Sequence, residues 1–124
     1  VLHLPGHSRD GMALHDLDRN LMFVRDFITP AAPTCSPPAP DLGEYLRPAS
    51  AVLEILNEDT LIMSAHTGRP AVTTVPVMRR GDVEVLLSRL RLVRDGAVRG
   101  RGIFPRCYPV TAAMTIYAGS SWRR

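Results

Sequence analysis

The sequence predicts an α/β domain, a mixed sheet carrying two main helices. Three observations predict it. Residues 1–26 read as three short strands joined by tight turns, running up, down and up. An apolar stripe of helical period over 41–56 leads into a strand-length apolar run, which makes a β-α-β crossover with parallel strands. A second stripe of the same period starts near Asp82 and stops at Asp95-Gly96.

Each element has its own warrant. Residues 1–5 alternate apolar and polar and meet Pro5-Gly6, a strand that ends in a tight turn. Met12 to His15 is the second strand. Asp16-Leu17-Asp18-Arg19-Asn20 is turn chemistry, because Asp and Asn side chains bond nearby backbone and tolerate unusual φ. Leu21-Met22-Phe23-Val24 is a continuous apolar run, expected to be a strand buried on both faces. Residues 29–40 hold five prolines and are expected to form an ordered surface loop, since each Pro removes a donor and fixes φ.

Asp41, with Glu44 three residues on, resembles a capping box. Leu42, Tyr45, Leu46, Ala49, Val52, Leu53 and Leu56 then fall on one helical stripe, which Pro48 is expected to bend or split. Leu61 to Ala65 is the crossover strand. Asp82 is expected to cap the second helix, whose stripe is Val83, Leu86, Leu87, Leu90 and Val93. A Gly- and Arg-rich turn spans 97–102, and Met114 to Tyr117 reads as a last strand. The whole of 1–124 is taken as one unit, since 124 residues suffice for one modest core.

This topology predicts where chemistry sits. With strands one and three running up and the crossover strand parallel to the third, His7, Asp26 and His66 all fall just past strand tops. Open α/β sheets place their sites at that edge. Imidazole and carboxylate together suit zinc, and also iron or manganese.

Leu4-Pro5-Gly6-His7-Ser8, followed after a hairpin by Leu21 to Ile28 with Asp26 at a strand end, resembles the metallo-β-lactamase superfamily. Ser64-Ala65-His66-Thr67-Gly68 resembles a later histidine loop of the same superfamily, and Phe104 to Val110 resembles the tail of its hydrolase-like members. The resemblance covers nearly the whole chain and implies the C-terminal half of an αββα sandwich. It implies that His7 binds a first metal, Asp26 bridges two, and His66 binds the second. It also implies hydrolysis of an ester, thioester, lactone or amide of a small-molecule substrate by a metal-activated hydroxide.

Two departures accompany it. Arg25 stands where the family has Gly before the bridging Asp, and a cation beside a dication is repelled unless it points away or pairs with a carboxylate. The family's HxHxDH motif is not found in this sequence, so each metal keeps two ligands here where zinc normally takes three or four. The chain alone is therefore expected to bind zinc weakly and to turn nothing over. The alternative is a degenerate, non-catalytic module of the same fold, acting in binding or assembly. The opening on Val1, as if a strand were already in progress, is consistent with a fragment or a processed piece.

Other residues have plainer readings. His3 and His15 are surface or packing histidines, Ser8 a turn hydroxyl, Tyr108 a packing residue, and Cys35 and Cys107 free thiols of a cytoplasmic protein. The net charge of +3 comes from 15 basic residues, all of them Arg. They are scattered rather than clustered, which does not favour nucleic acid. No apolar run approaches the ~20 residues that cross a bilayer, and no membrane partner is expected. Half of a sandwich leaves one sheet face bare, a large apolar patch that monomers rarely tolerate. A missing N-terminal half, or a second copy in an oligomer, is therefore expected to cover it.

Overall fold

The computed structural model describes residues 1–29, 42–65, 77–102, 106–110 and 115–118. Five strands form one mixed sheet in sequential order: β1 (Leu2–His3), β2 (Met12–Asp16), β3 (Leu21–Arg25), β4 (Leu61–Ser64) and β5 (Val77–Met78). β1, β2 and β3 are antiparallel neighbours, and β4 runs parallel to β3. The helix α1 (Leu42–Ile55) precedes β4 in the chain, so the crossover is present as expected. The helix α2 (Arg80–Arg94) follows β5, and β6 (Arg106–Pro109) pairs with β7 (Thr115–Ala118) as a separate hairpin.

The sheet is buried on one face. Met22, Ile62 and Met78 align across β3, β4 and β5, and all three are buried. They join Ala13, Val24 and the stripes of both helices in a single cluster that includes Tyr45, Val52, Val83, Leu86 and Leu90. The other face carries a second aligned row, Leu14, Phe23, Met63 and Val77, one residue from each of β2 to β5. Leu14, Phe23 and Val77 are 53%, 40% and 44% exposed. The expectation that β3 is buried on both faces is therefore corrected. Its residues alternate because helices cover only one side, although its outward residues are as apolar as its inward ones.

Four further expectations change. Pro48 lies inside a continuous α1 and does not split it. It sits in the first two turns and is buried on the packed side, so the missing N–H forfeits one bond of an otherwise intact ladder. Asp82 is the third residue of α2 rather than its cap; its carboxylate accepts the N–H of the capping residue Arg79 at 2.8 Å. β5 and β6 are strands that apolar patterning does not reveal, since two residues and a Pro-containing four-residue segment carry too little period. The last strand is Thr115–Ala118. The cap position Asp41, the Pro-rich stretch 30–40 with Cys35, Met114 and residues 103–105 lie outside the described residues.

Two polar devices hold the end of the sheet opposite the strand tops. Asn20, with φ 54°, turns the β2–β3 hairpin, and its carbonyl accepts the Leu61 N–H at 3.1 Å. The fully buried Thr60 hydroxyl donates to the Asn20 side chain at 2.8 Å, and Asn57 pairs with the same Asn20 amide. Arg80 starts α2 and donates to the carbonyls of Leu53 and Leu56 at 2.6 and 2.7 Å, so one helix satisfies the open end of the other. At its far end α2 stops as the sequence predicts. Gly96 at φ 74° lets the N–H groups of Gly96 and Ala97 reach back to Val93 and Leu92.

Replacing Arg80 with Ala removes two charged-donor hydrogen bonds to carbonyls that no other helix residue reaches. A loss of about 2–3 kcal/mol is expected in urea unfolding. A change below about 0.5 kcal/mol, the range of an ordinary surface substitution, would contradict this role.

Candidate functional site

The cleft at the strand tops is built on a closed loop. Past β1, the Leu4 N–H donates to the Gly11 carbonyl at 2.7 Å, and His3 Nε2 donates to the Arg9 carbonyl at 2.9 Å. These two bonds pin residues 4–11 at both ends and set His7, Ser8 and Asp10 at the sheet edge. His3 is thus a loop-closing residue, and His15 lies on the inner face beside Met22. Gly6 is required at its place: a Cβ there would come within 2.7 Å of the Phe27 ring and 2.5 Å of the Tyr45 ring.

The third strand presents its end differently. Its register with β4 shifts between Phe23 and Arg25, and Arg25 adopts φ 50°. The Arg25 carbonyl accepts the Ala65 N–H at 3.0 Å, which locks the bulge onto the neighbouring strand end. The family that the sequence resembles has Gly here, and the backbone conformation gives the physical reason. The chain then turns sharply, with the Phe27 N–H donating to the Val24 carbonyl at 3.1 Å, and Asp26 sits on that turn.

His7 and Asp26 line one cavity of about 240 Å³, together with Ser8, Asp10 and Arg25. Leu4, Met12, Val24 and Phe27 form its apolar walls. His7 Nδ1 is buried and has no hydrogen-bond partner among the described residues. Asp10 is a site residue that motif reading does not single out, because it lies in a turn without a spacing signature. A hydrogen bond from the Ser8 hydroxyl and one from its own N–H hold its carboxyl below the ordinary value of 3.8. Slight desolvation opposes them, and the charges of Arg25 and His3 add to the lowering. The stabilisation this lends is present above the unfolded-state pKa and is lost as pH falls through the folded-state value.

The structure thus brings together two of the three sequence-predicted ligands. His66 lies outside the described residues. Among the described residues, no three His, Cys, Asp or Glu side chains are grouped as a metal site. No described helix is long and apolar enough to cross a membrane.

The backbone at position 25 gives a sign-inverted test. Within a strand, Gly normally costs about 0.5–1 kcal/mol relative to Ala. At a left-handed φ the order reverses, by roughly 1–2 kcal/mol. Arg25→Gly is therefore expected to melt above Arg25→Ala. An Ala variant as stable as the Gly variant would show that the left-handed conformation is not maintained in solution.

Comparison with known proteins finds similarity over part of the chain. A stretch of 57 residues, 46% of the chain, is 30% identical to the acyl-coenzyme A thioesterase MBLAC2 of Bos taurus and of Homo sapiens. The match takes in 20% of the length of each of these relatives. No family model matches the chain. No solved structure matches it.

Proposed function

We propose that this chain is part of a metal-dependent hydrolase of the metallo-β-lactamase superfamily. The observation that carries the reading is the placement of His7 and Asp26, from two separate strand ends, in one cleft. The partnerless His7 nitrogen supports it, as does the likeness to proteins named as thioesterases. Among the ester, thioester, lactone and amide bonds that the sequence resemblance admits, the thioester is favoured by that likeness.

In this reading His7 and Asp26 would hold the metal, with His66, which follows β4 in the sequence, as the third donor. Zinc suits this donor set, with iron or manganese as alternatives. A divalent cation held there supplies Lewis acidity, polarising a carbonyl and acidifying water. The chain's own residues do the rest. The imidazole of His7 offers its free nitrogen, and the Asp26 carboxylate supplies the compensating charge. Leu4, Met12, Val24 and Phe27 receive the apolar part of the substrate and exclude water from it.

The ligand set is incomplete on these residues, and the outer sheet face carries an uncovered apolar row. Both features fit a longer protein whose remaining part completes the site and covers Leu14, Phe23, Met63 and Val77. A second copy of the chain is the other means of cover. A non-catalytic module of the same fold is the second reading, favoured by the cationic Arg25 at the mouth of the cleft. An in-frame HxHxDH stretch upstream in the coding sequence decides for the enzyme.

The full-length gene product is expected to bind zinc stoichiometrically and to hydrolyse acyl thioesters. His7→Ala and Asp26→Asn should each abolish turnover and lower zinc content, while the 124-residue chain alone should bind zinc weakly. Full-length protein that is active after chelation, or whose zinc content ignores both substitutions, would end this reading. Light scattering on the 124-residue chain is expected to show self-association, relieved by Phe23→Glu. A well-behaved monomer before substitution would remove the argument for a covering layer.

A further inference from the structure

We propose that Arg99 and Arg101 bind the anionic part of the substrate's carrier, so that the substrate is an acyl thioester on a phosphate-bearing carrier. The inference rests on the hydrolase reading above, and no metal enters it. The cleft of about 240 Å³ is smaller than the ~300–1,000 Å³ of sites that enclose a whole drug-sized ligand. Its apolar walls suit the acyl part, while Asp10 and Asp26 in its lining repel an anion. A charged carrier therefore lies outside it, at the same end of the molecule.

The fold brings a basic surface to that end. Eleven of the 15 basic residues follow residue 60, with only three acidic ones among them. α1 begins at the cleft, where Tyr45 stacks on Phe27, and its last carbonyls bond Arg80 at the start of α2. The two helices share one core and run antiparallel, which returns the end of α2 to the level of the cleft. Arg91 and Arg94 lie in its last turn, where the helix dipole alone accounts for them, and Arg94 is paired with Asp95. Arg99 and Arg101 lie past the helix and are not explained by it. Val98 packs against the core, and a Cβ on Gly100 would come within 2.7 Å of the Tyr108 ring, so 98 and 100 face inward. Arg99 and Arg101 are exposed on the other side, roughly 7 Å apart in an extended segment. The Arg101 N–H donates to the Cys107 carbonyl and the Cys107 N–H to the Arg101 carbonyl, both at 2.8 Å, which pins the segment. Among the described residues neither side chain makes an ion pair. Two guanidiniums on a fixed backbone, with no anion of their own, fit phosphate groups, which accept paired N–H donors.

Steady-state kinetics on the full-length gene product test this, with one acyl group carried on coenzyme A and on phosphate-free pantetheine. The unsubstituted protein is expected to show the lower KM for the coenzyme A ester, and that KM should rise with salt. Replacing both Arg99 and Arg101 with Ala should raise it at least about tenfold, the scale of one lost charged hydrogen bond. The KM for the pantetheine ester and both kcat values should stay within about twofold, and melting of the variant checks its folding. Arg19→Ala, which removes a charge at the opposite end of the molecule, should leave every constant unchanged. Equal KM values for the two esters, or a double Ala variant that raises neither, overturn the inference and leave the hydrolase reading standing. A protein that hydrolyses neither ester overturns both.

Discussion

The cleft depends on Tyr45. This residue belongs to α1, yet its side chain serves the two loops at the strand tops. Its hydroxyl donates to the Phe27 carbonyl, and its ring stacks on Phe27 with centroids 4.7 Å apart. The same ring lies against Gly6, where no side chain would fit. One fully buried residue thus sets the distance between the loop that carries His7 and the turn that carries Asp26. A buried carbonyl left without its donor costs about 1–3 kcal/mol, so the constraint is energetic as well as steric. Helix packing and site geometry are here the same interaction.

Sheet topology supplies the direction. The up-down-up order of β1 to β3, and the parallel β4, were readable from turn chemistry and from the crossover, because both depend on local residue types. The convergence of His7 and Asp26 followed from the same reading. What was not readable depends on contacts distant in sequence. The one-sided burial of β3 could not be seen in Leu21-Met22-Phe23-Val24, where inward and outward positions are equally apolar. Asp10 belongs to the cleft because the loop of 4–11 closes, and nothing in its immediate neighbours announces that closure. Tyr45 looked like one more member of a helical stripe, and the stripe gives no hint of the hydroxyl's partner 18 residues away.

Arg25 shows how a departure from a pattern acquires a physical meaning. At the sequence level it was an Arg where the family that the sequence resembles has Gly. The structure shows two separate consequences. The first is steric: a side chain is held at φ 50° by a bulge that β4 locks in place. The second is electrostatic: a guanidinium stands at the mouth of a cleft that holds two carboxylates. Substituting Gly removes both at once, whereas substituting Ala removes only the charge. The two effects are therefore separable by comparing the Gly and Ala variants.

Charge in the cleft links these points to chemistry. The carboxylates of Asp10 and Asp26 and the guanidinium of Arg25 line the cleft, so acidic side chains outnumber the Arg side chain there. That field favours a cation and opposes an anionic ligand. Leu4, Met12, Val24 and Phe27 line the same cleft and lower the local dielectric, so the field of these charges acts more strongly there than it would in open water.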